Sequence, residues 1–177
     1  VSRVLNRSPK VNAVTRERIE AAIATLGFYP SARARGLATG RSYLIGLVHN
    51  DRNALVLDTL QRGVVAAASG RGYELVVHPA PAGTDATVAD VLDFARRSRV
   101  DGLVVMAPVS GAIGLAEALE RADVPAVALS AVPIAGFPAV LVSDERGAAA
   151  DVARYLVGLG HRRIGLINGP AGARSAE

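Results

Sequence analysis

The stretch YLIGLV at residues 43–48 decides the fold, because it is the first of a series of short apolar runs. The others are YELVV at 73–77, DGLVVMA at 101–107, AVAL at 126–129, a short segment near 139–143 and RIGLI at 163–167. Short runs rich in Val, Leu and Ile are typical of strands that are buried on both faces, as in a parallel sheet. We therefore expect each run to be a strand of one such sheet.

Amphipathic helices are predicted between most of these strands, at roughly 55–70, 85–98, 112–121 and 145–159. Asp144 is the expected N-cap of the last of them. Strands that alternate with helices imply right-handed βαβ crossovers. The predicted fold class is therefore α/β, with a doubly wound parallel sheet.

The first 42 residues differ in charge from the rest of the chain. They carry eight basic and two acidic residues, a net charge of +6, whereas the remainder carries twelve basic and fourteen acidic residues, a net charge of −2. A basic first quarter on a mildly acidic body indicates a polyanion as the partner of that quarter alone. We place the boundary between the two parts near residues 40–43.

This basic part is predicted to be helical. VSRVLNR at 1–7 predicts one or two turns of helix, whose inward residues are Val1, Val4 and Leu5. A second helix is predicted after Asn12, its N-cap, and is expected to stop at Gly27. Its apolar stripe consists of Ile19, Ala22, Ile23 and Leu26. A short helix is expected over 31–39, and the whole arrangement fits a helix-turn-helix unit that lacks its front half.

Several classes of function find no support in the composition or the motifs. There is no cysteine, and no apolar run reaches the roughly 18 residues of a membrane span. The histidines are far apart, and no nucleophile elbow, P-loop or dinucleotide fingerprint is present. We therefore predict no enzyme, no cofactor, no metal site and no membrane partner. Without a secretory signal pattern, the expected location is cytoplasmic.

Polar residues gather where the predicted strands end, which is where open α/β sheets bind ligands. The candidates are Asn50, Asp51, Arg52, Asn53, Ser110, Ser130, Asp144, Glu145 and Arg146. Such groups suit a polyhydroxylated or otherwise polar small molecule. The alternative is that Asp144 only caps its helix and that Asn53 only shapes a turn.

VSRVLN, followed by VTRERIEAAIATLGFYP and LATGRSYLIGLV, resembles the LacI/GalR family of bacterial transcription repressors. The resemblance continues through GYELVV, VDGLVVMAP, VPAVAL and VSDERGAAADVARYLVGLGHRRIGLINGP, and so covers the whole chain. It implies a partial helix-turn-helix headpiece at 1–30, a hinge helix and linker at 31–42, and an effector-binding domain at 43–177. That domain corresponds to the first subdomain of a periplasmic-binding-protein-like body. By the same pattern, the chain is a piece of a longer protein.

The resemblance also implies which residues contact DNA. They are Ser2, Arg3, Asn6, Asn12, Thr15, Arg16, Tyr29, Arg33, Arg35 and Leu37. Leu37 matches the leucine that the family's hinge helix wedges into the minor groove at the operator centre. Residues 31–38 are too few to hold a helix alone in water, so we expect this segment to be frayed off DNA and to fold on it.

The predicted effector-binding residues are Asp51, Asn53, Ser130, Asp144 and Glu145, of which the resemblance places Ser130, Asp144 and Glu145 at effector-pocket positions of the family. The chain departs from the family here: Ser130 and Ala131 stand where an Asp-Arg pair is frequent, Glu145 stands where Asn is usual, and Ala148 stands where Gly is common. A sugar or sugar-like metabolite remains the ligand that the resemblance implies.

These observations predict a sequence-specific transcription repressor that binds double-stranded operator DNA as a homodimer and is controlled by a small sugar-like effector. One alternative is a periplasmic-type sugar-binding protein without DNA binding, which would have no use for VSRVLN or a basic hinge. Another is a nucleotide-dependent α/β enzyme, which the missing phosphate loop disfavours.

Overall fold

The main helix of the first part of the chain runs from Ala13 to Leu26, between the caps Asn12 and Gly27. The computed structural model describes residues 1–5, 8–28, 39–50, 54–81 and 84–167. It divides the chain into two units, Val1–Arg41 and Ser42–Glu177.

The first unit contains the helices α1 (Ser2–Leu5) and α2 (Ala13–Leu26). The Oδ1 atom of Asn12 accepts a hydrogen bond from the backbone N–H of Thr15 at 2.8 Å, which is the geometry of an N-cap. At the other end, Gly27 adopts the left-handed conformation, with φ of 56°. Both predicted ends of this helix are confirmed.

The predicted inward face of α1 is only partly correct. Val4 is buried, but Val1 and Leu5 are exposed. Because α1 is a single helical turn, it covers little of the surface of α2. The apolar stripe of α2 therefore remains largely uncovered. Together with Val1, Val14 and Phe28, this stripe lines a groove of about 880 Å³.

The second unit is an α/β sheet in which strands and helices alternate. In the part of the chain that the structure describes, the sheet has five strands: β1 (Leu44–His49), β2 (Glu74–Pro79), β3 (Gly102–Val105), β4 (Ala126–Ser130) and β5 (Ala139–Val142). The helices are α3 (Ala54–Ser69), α4 (Thr84–Ser98), α5 (Leu115–Arg121) and α6 (Glu145–Gly158), with a 3₁₀ turn at Val109–Gly111. All pairings are parallel and the strand order is β2-β1-β3-β4-β5. The predicted fold class is confirmed.

The core lies between the central strands and the helices α4 and α5. Its buried side chains are Val48, Val91, Phe94, Leu103, Val105, Val109, Leu115 and Leu119, with several alanines. Burying a side chain of this size contributes about 1.5–3 kcal/mol, so this layer stabilises the unit. The right-handed crossover rule puts α3 on the opposite face, because the strand order reverses between β1 and β3.

Burial on both faces was expected for every strand, but the structure shows it only in the middle of the sheet. β1 is buried along its last four residues, whereas β2 and β5 are largely half-buried or exposed. These two strands form the edges of the sheet, where one side has no neighbouring strand among the described residues. The expectation was wrong for them, because apolar composition does not distinguish an edge from a centre.

The strand predicted at 163–167 is also wrong. Residues 161–167 form no strand, and Leu166 and Ile167 are 85% and 101% exposed. A strand needs a neighbour to accept and donate its backbone hydrogen bonds. Within the described residues no strand pairs with this segment.

Candidate functional sites

The exposed surface of the first unit carries several of the predicted DNA contacts. Ser2 and Arg3 lie exposed on α1, and Asn12 and Thr15 lie exposed at the start of α2. The first backbone N–H groups of a helix and its dipole favour an anion at this end. The start of α2 therefore exposes the polar residues Asn12 and Thr15, and α1 exposes Ser2 and Arg3.

Arg16 has a structural contact in addition to its predicted one. Its Nη2 atom donates to the backbone oxygen of Ser8 at 3.0 Å, across the turn between α1 and α2. The N–H of Ser8 in turn donates to the oxygen of Arg3 at 2.8 Å. A guanidinium has five N–H donors, so this bond leaves others for a phosphate.

The remaining predicted DNA contacts, Asn6, Tyr29, Arg33, Arg35 and Leu37, lie outside the described residues. So does nearly all of the predicted hinge helix. Asp51 and Asn53, two of the predicted effector contacts, lie outside them as well.

The second unit has a pocket at the carboxyl ends of its strands, with a volume of about 720 Å³. It lies where the strand order reverses between β1 and β3, the position at which open α/β sheets hold their ligands. His49 ends β1 and Asn50 follows it, Met106 to Pro108 follow β3, and Ser130 ends β4. The first turns of α3 close another side.

Most of the pocket wall is apolar. Its larger apolar side chains are Leu55, Val56, Leu57, Leu60, Met106, Leu129, Leu141 and Val142. Polar groups are fewer: His49, Asn50, Thr59, Ser130, Ser143 and Glu145. A wall of this kind, with a few polar groups that fix orientation, is typical of small-molecule sites.

Two of the predicted effector residues line this pocket, and one is occupied elsewhere. Ser130 is buried, and its Oγ accepts from the N–H of Val132 at 3.3 Å. Glu145 lies at the rim, where its Oε1 accepts from the hydroxyl of Ser143 at 3.1 Å. Asp144 does not line the pocket. Its Oδ1 accepts from the N–H of Gly147 at 2.8 Å and caps α6, as the alternative held.

Ser110, another candidate from the sequence, has a structural bond. It is buried, and its hydroxyl donates to the backbone oxygen of Leu129 at 2.7 Å. This bond ties the 3₁₀ turn after β3 to the end of β4, beside the pocket.

Sequence reasoning missed the apolar wall and His49. Leu55, Leu60 and Met106 have the residue types of a core, and nothing in their spacing distinguishes a pocket wall from a packed interior. The available signal was positional: Leu55 lies in the first turn of a helix that follows a strand end, which is where the first βα loop of such a sheet faces its ligand.

The described part of the chain offers no group of three or more His, Cys, Asp or Glu that could hold a metal ion. No helix in the described ranges is long and apolar enough to cross a membrane.

The chain thus combines a small basic helical unit with an α/β unit that has a pocket at its strand ends. The model of the family described as bacterial regulatory proteins, lacI family, matches residues 1–31. The chain is 32% identical over 178 residues to the lactose operon repressor of Escherichia coli (strain K12), with 100% of this chain and 49% of that protein covered. The chain belongs to the lacI family.

Further comparisons cover nearly the whole chain. The HTH-type transcriptional regulator AglR of Rhizobium meliloti (strain 1021) is 36% identical over 178 residues, with 96% of this chain and 48% of that protein covered. The crystal structure of the lac repressor dimer bound to operator and the anti-inducer ONPF matches with a TM-score of 0.78 at 29% identity, over 99% of this chain and 53% of that one. The chain thus spans about half the length of the curated relatives it matches.

Proposed function

We propose that this protein is a transcription repressor that binds double-stranded operator DNA as a homodimer and is controlled by a small effector. The observation that carries the proposal is the similarity to the lactose operon repressor, which runs through both units rather than one. A sugar-binding protein without DNA binding would account for the second unit alone.

The first unit is proposed as the DNA-binding part, with Ser2, Arg3, Asn12, Thr15 and Arg16 as its described contacts. Side chains of these types reach phosphates and base edges from a helix in the major groove. Asn6, Tyr29, Arg33, Arg35 and Leu37 complete the proposed set from the sequence. In domain terms, we propose a headpiece at 1–30, a hinge at 31–42 and an effector domain at 43–177.

The pocket of the second unit is proposed as the effector site. A sugar has hydroxyl groups for Ser130, Asn50 and Glu145, and apolar ring faces for Leu60 and Met106. A metabolite with both kinds of surface fits such a wall better than a purely charged ligand, which would leave the apolar side chains facing unpaired charge.

We further propose that the protein catalyses no reaction and acts in the bacterial cytoplasm. The two relatives named above are a repressor and a transcriptional regulator. If effector and operator bind different conformations, each changes the affinity for the other by the same factor.

The first experiment tests DNA binding. Duplexes are selected from a random pool by the intact protein, and the affinity for a selected duplex is measured at several salt concentrations. Arg3→Ala is expected to reduce the slope of log affinity against log salt by about one. Arg62→Ala is the matched control, because Arg62 is an exposed arginine of α3 that pairs with Asp58. Failure to enrich any duplex, or equal slopes in both variants, would contradict the proposal.

Leu37 provides a separate test of specific binding. Leu37→Ala is expected to weaken binding to the selected duplex while leaving binding to a random duplex nearly intact, because an apolar wedge acts at one base step. Equal losses on both duplexes would refute the wedge.

The effector site is tested by thermal shift of the intact protein with a set of mono- and disaccharides. Ala131→Trp fills the pocket and is expected to abolish any sugar-induced rise in melting temperature. Ala66→Trp, an exposed position of α3 outside the pocket, is expected to retain it. If both variants still respond to the same sugar, the ligand binds elsewhere.

A further inference from the structure

Asp101 holds the point at which the chain enters the second unit. Its Oδ1 atom accepts from the backbone N–H of Ser42 at 2.8 Å and from the Ser42 hydroxyl at 3.0 Å. Its Oδ2 atom accepts from the N–H of Tyr43 at 3.0 Å. The carboxylate therefore receives three hydrogen bonds from two consecutive residues that lie 58 and 59 positions away in sequence.

The other side of this entry point is also fixed. Tyr43 has φ of 58°, in the left-handed region that residues other than glycine seldom adopt. Its carbonyl oxygen accepts from the N–H of Glu74 at 2.9 Å, and its ring lies 5.4 Å from that of Tyr73, centroid to centroid. Such a conformation persists only where the surroundings hold it, and here the starts of β1, β2 and β3 all take part.

The hydrogen bonds that the Asp101 carboxylate accepts are not part of the strand pairing. β1 is paired with β2 over residues 44–49 and with β3 over residues 45–48. The contacts to Ser42 and Tyr43 precede Leu44, the first residue of the strand. Two carboxylate oxygens that bind two successive N–H groups fix both the position and the direction of the backbone before it continues toward the proposed hinge.

We propose that Asp101 is a positioning residue that sets the direction in which the hinge segment leaves the effector domain, and hence how the DNA-binding unit is presented. The expected effect on DNA binding rests on the proposed function. The effect of Asp101 on the direction of the backbone does not depend on it. We call the hydrogen bonds of Asp101 to Ser42 and Tyr43 the clamp. Removing the clamp should leave the pocket intact, because none of these three residues lines it.

Asp101→Asn is the decisive variant. An amide has one acceptor oxygen and one donor nitrogen, so it cannot accept at both positions, and its N–H₂ group would face a backbone N–H. Asp58→Asn is the matched control: it removes the same charge from an exposed carboxylate of α3 that pairs only locally with Arg62.

The geometric part is tested by spin labelling. The chain has no cysteine, so Thr39→Cys and Ala66→Cys introduce the only two labelling sites. Pulsed dipolar spectroscopy then measures the distance distribution between a site just before Ser42 and one on α3. Asp101→Asn is expected to broaden this distribution, whereas Asp58→Asn leaves it unchanged. An unchanged distribution in Asp101→Asn would overturn the proposal.

The functional part is tested on a duplex selected by the wild-type protein. Asp101→Asn is expected to weaken binding to the selected duplex about tenfold, and to leave binding to a random duplex within about twofold. A merely structural role would lower the melting temperature without this difference, and that result, like equal losses on both duplexes, would refute the proposal. Sugar-induced thermal shifts should be retained.

Ser42→Ala keeps the test decisive if Asp101→Asn fails to fold. It removes the hydroxyl bond to Asp101 while keeping both backbone bonds, and a smaller broadening and a smaller affinity loss are expected. If the wild-type protein selects no duplex at all, the proposed function fails, while the spin-label result still decides whether Asp101 positions the chain.

Discussion

Gly46 lies in the middle of β1, and replacing it by alanine should destabilise the second unit. A methyl group built there meets the Cδ2 atom of Leu103 at 2.5 Å and the Cε1 atom of Phe94 at 2.8 Å. Carbon atoms in contact normally lie about 3.5–4.0 Å apart, so the added group overlaps its neighbours by about 1 Å. Both neighbours belong to the buried core.

The expected loss is about 2–3 kcal/mol, toward the upper end for overpacking a core. Phe94 has little freedom to yield, because its ring stacks on that of His78 at 4.2 Å between centroids. His78 is held by Asp90, with 2.6 Å between Nε2 and Oδ2. For a unit of this size, the loss corresponds to a fall in melting temperature of about 10 °C.

The assay is denaturant and thermal unfolding followed by far-UV circular dichroism, since the chain has no tryptophan. Gly63→Ala is the matched control: Gly63 lies within α3, and an added methyl group there meets nothing within 4 Å. It should stabilise the unit by about 0.5–1 kcal/mol. If Gly46→Ala unfolds within about 0.5 kcal/mol of the wild type, or if both variants lose stability alike, the packing argument is refuted.

Three further substitutions test other parts of the chain. Asn12→Ala removes the cap on Thr15 and should destabilise α2 by about 1 kcal/mol, seen as faster amide exchange at its start; unchanged exchange would contradict the capping role. Leu119→Ala should cost the second unit about 3 kcal/mol, because Leu119 is 1% exposed, and a loss below about 1 kcal/mol would refute its core position. Asp144→Ala should speed exchange at Gly147 with little change in global stability, since α6 buries no side chain; a large global loss would contradict this description.

Local signals in the sequence predicted local structure well. Asn12 and Gly27 mark the ends of α2 through chemistry that involves only a few neighbouring residues. The alternation of apolar runs with amphipathic helices predicted a parallel α/β sheet, because a crossover helix leaves its periodicity in the chain, but it did not predict the order of the strands within the sheet.

Features that depend on distant residues were not predictable. The segment 163–167 has the composition of a strand, but pairing is a property of two segments. Leu60 and Met106 read as core residues, although they face a pocket. The sequence around Asp101 did not indicate its hydrogen bonds to Ser42, because no local pattern near either residue identifies the other as its partner.

β1 has the clamp immediately before it and the pocket at its far end, where His49 lies. Its six residues span about 20 Å of backbone at about 3.3 Å per residue. A chimaera that joins this body to a foreign headpiece should therefore take its breakpoint before Ser42, so that Ser42 and Tyr43 stay with the carboxylate that holds them. With a breakpoint inside β1, the residues held by Asp101 and the pocket-lining end of the strand would no longer belong to one continuous native strand.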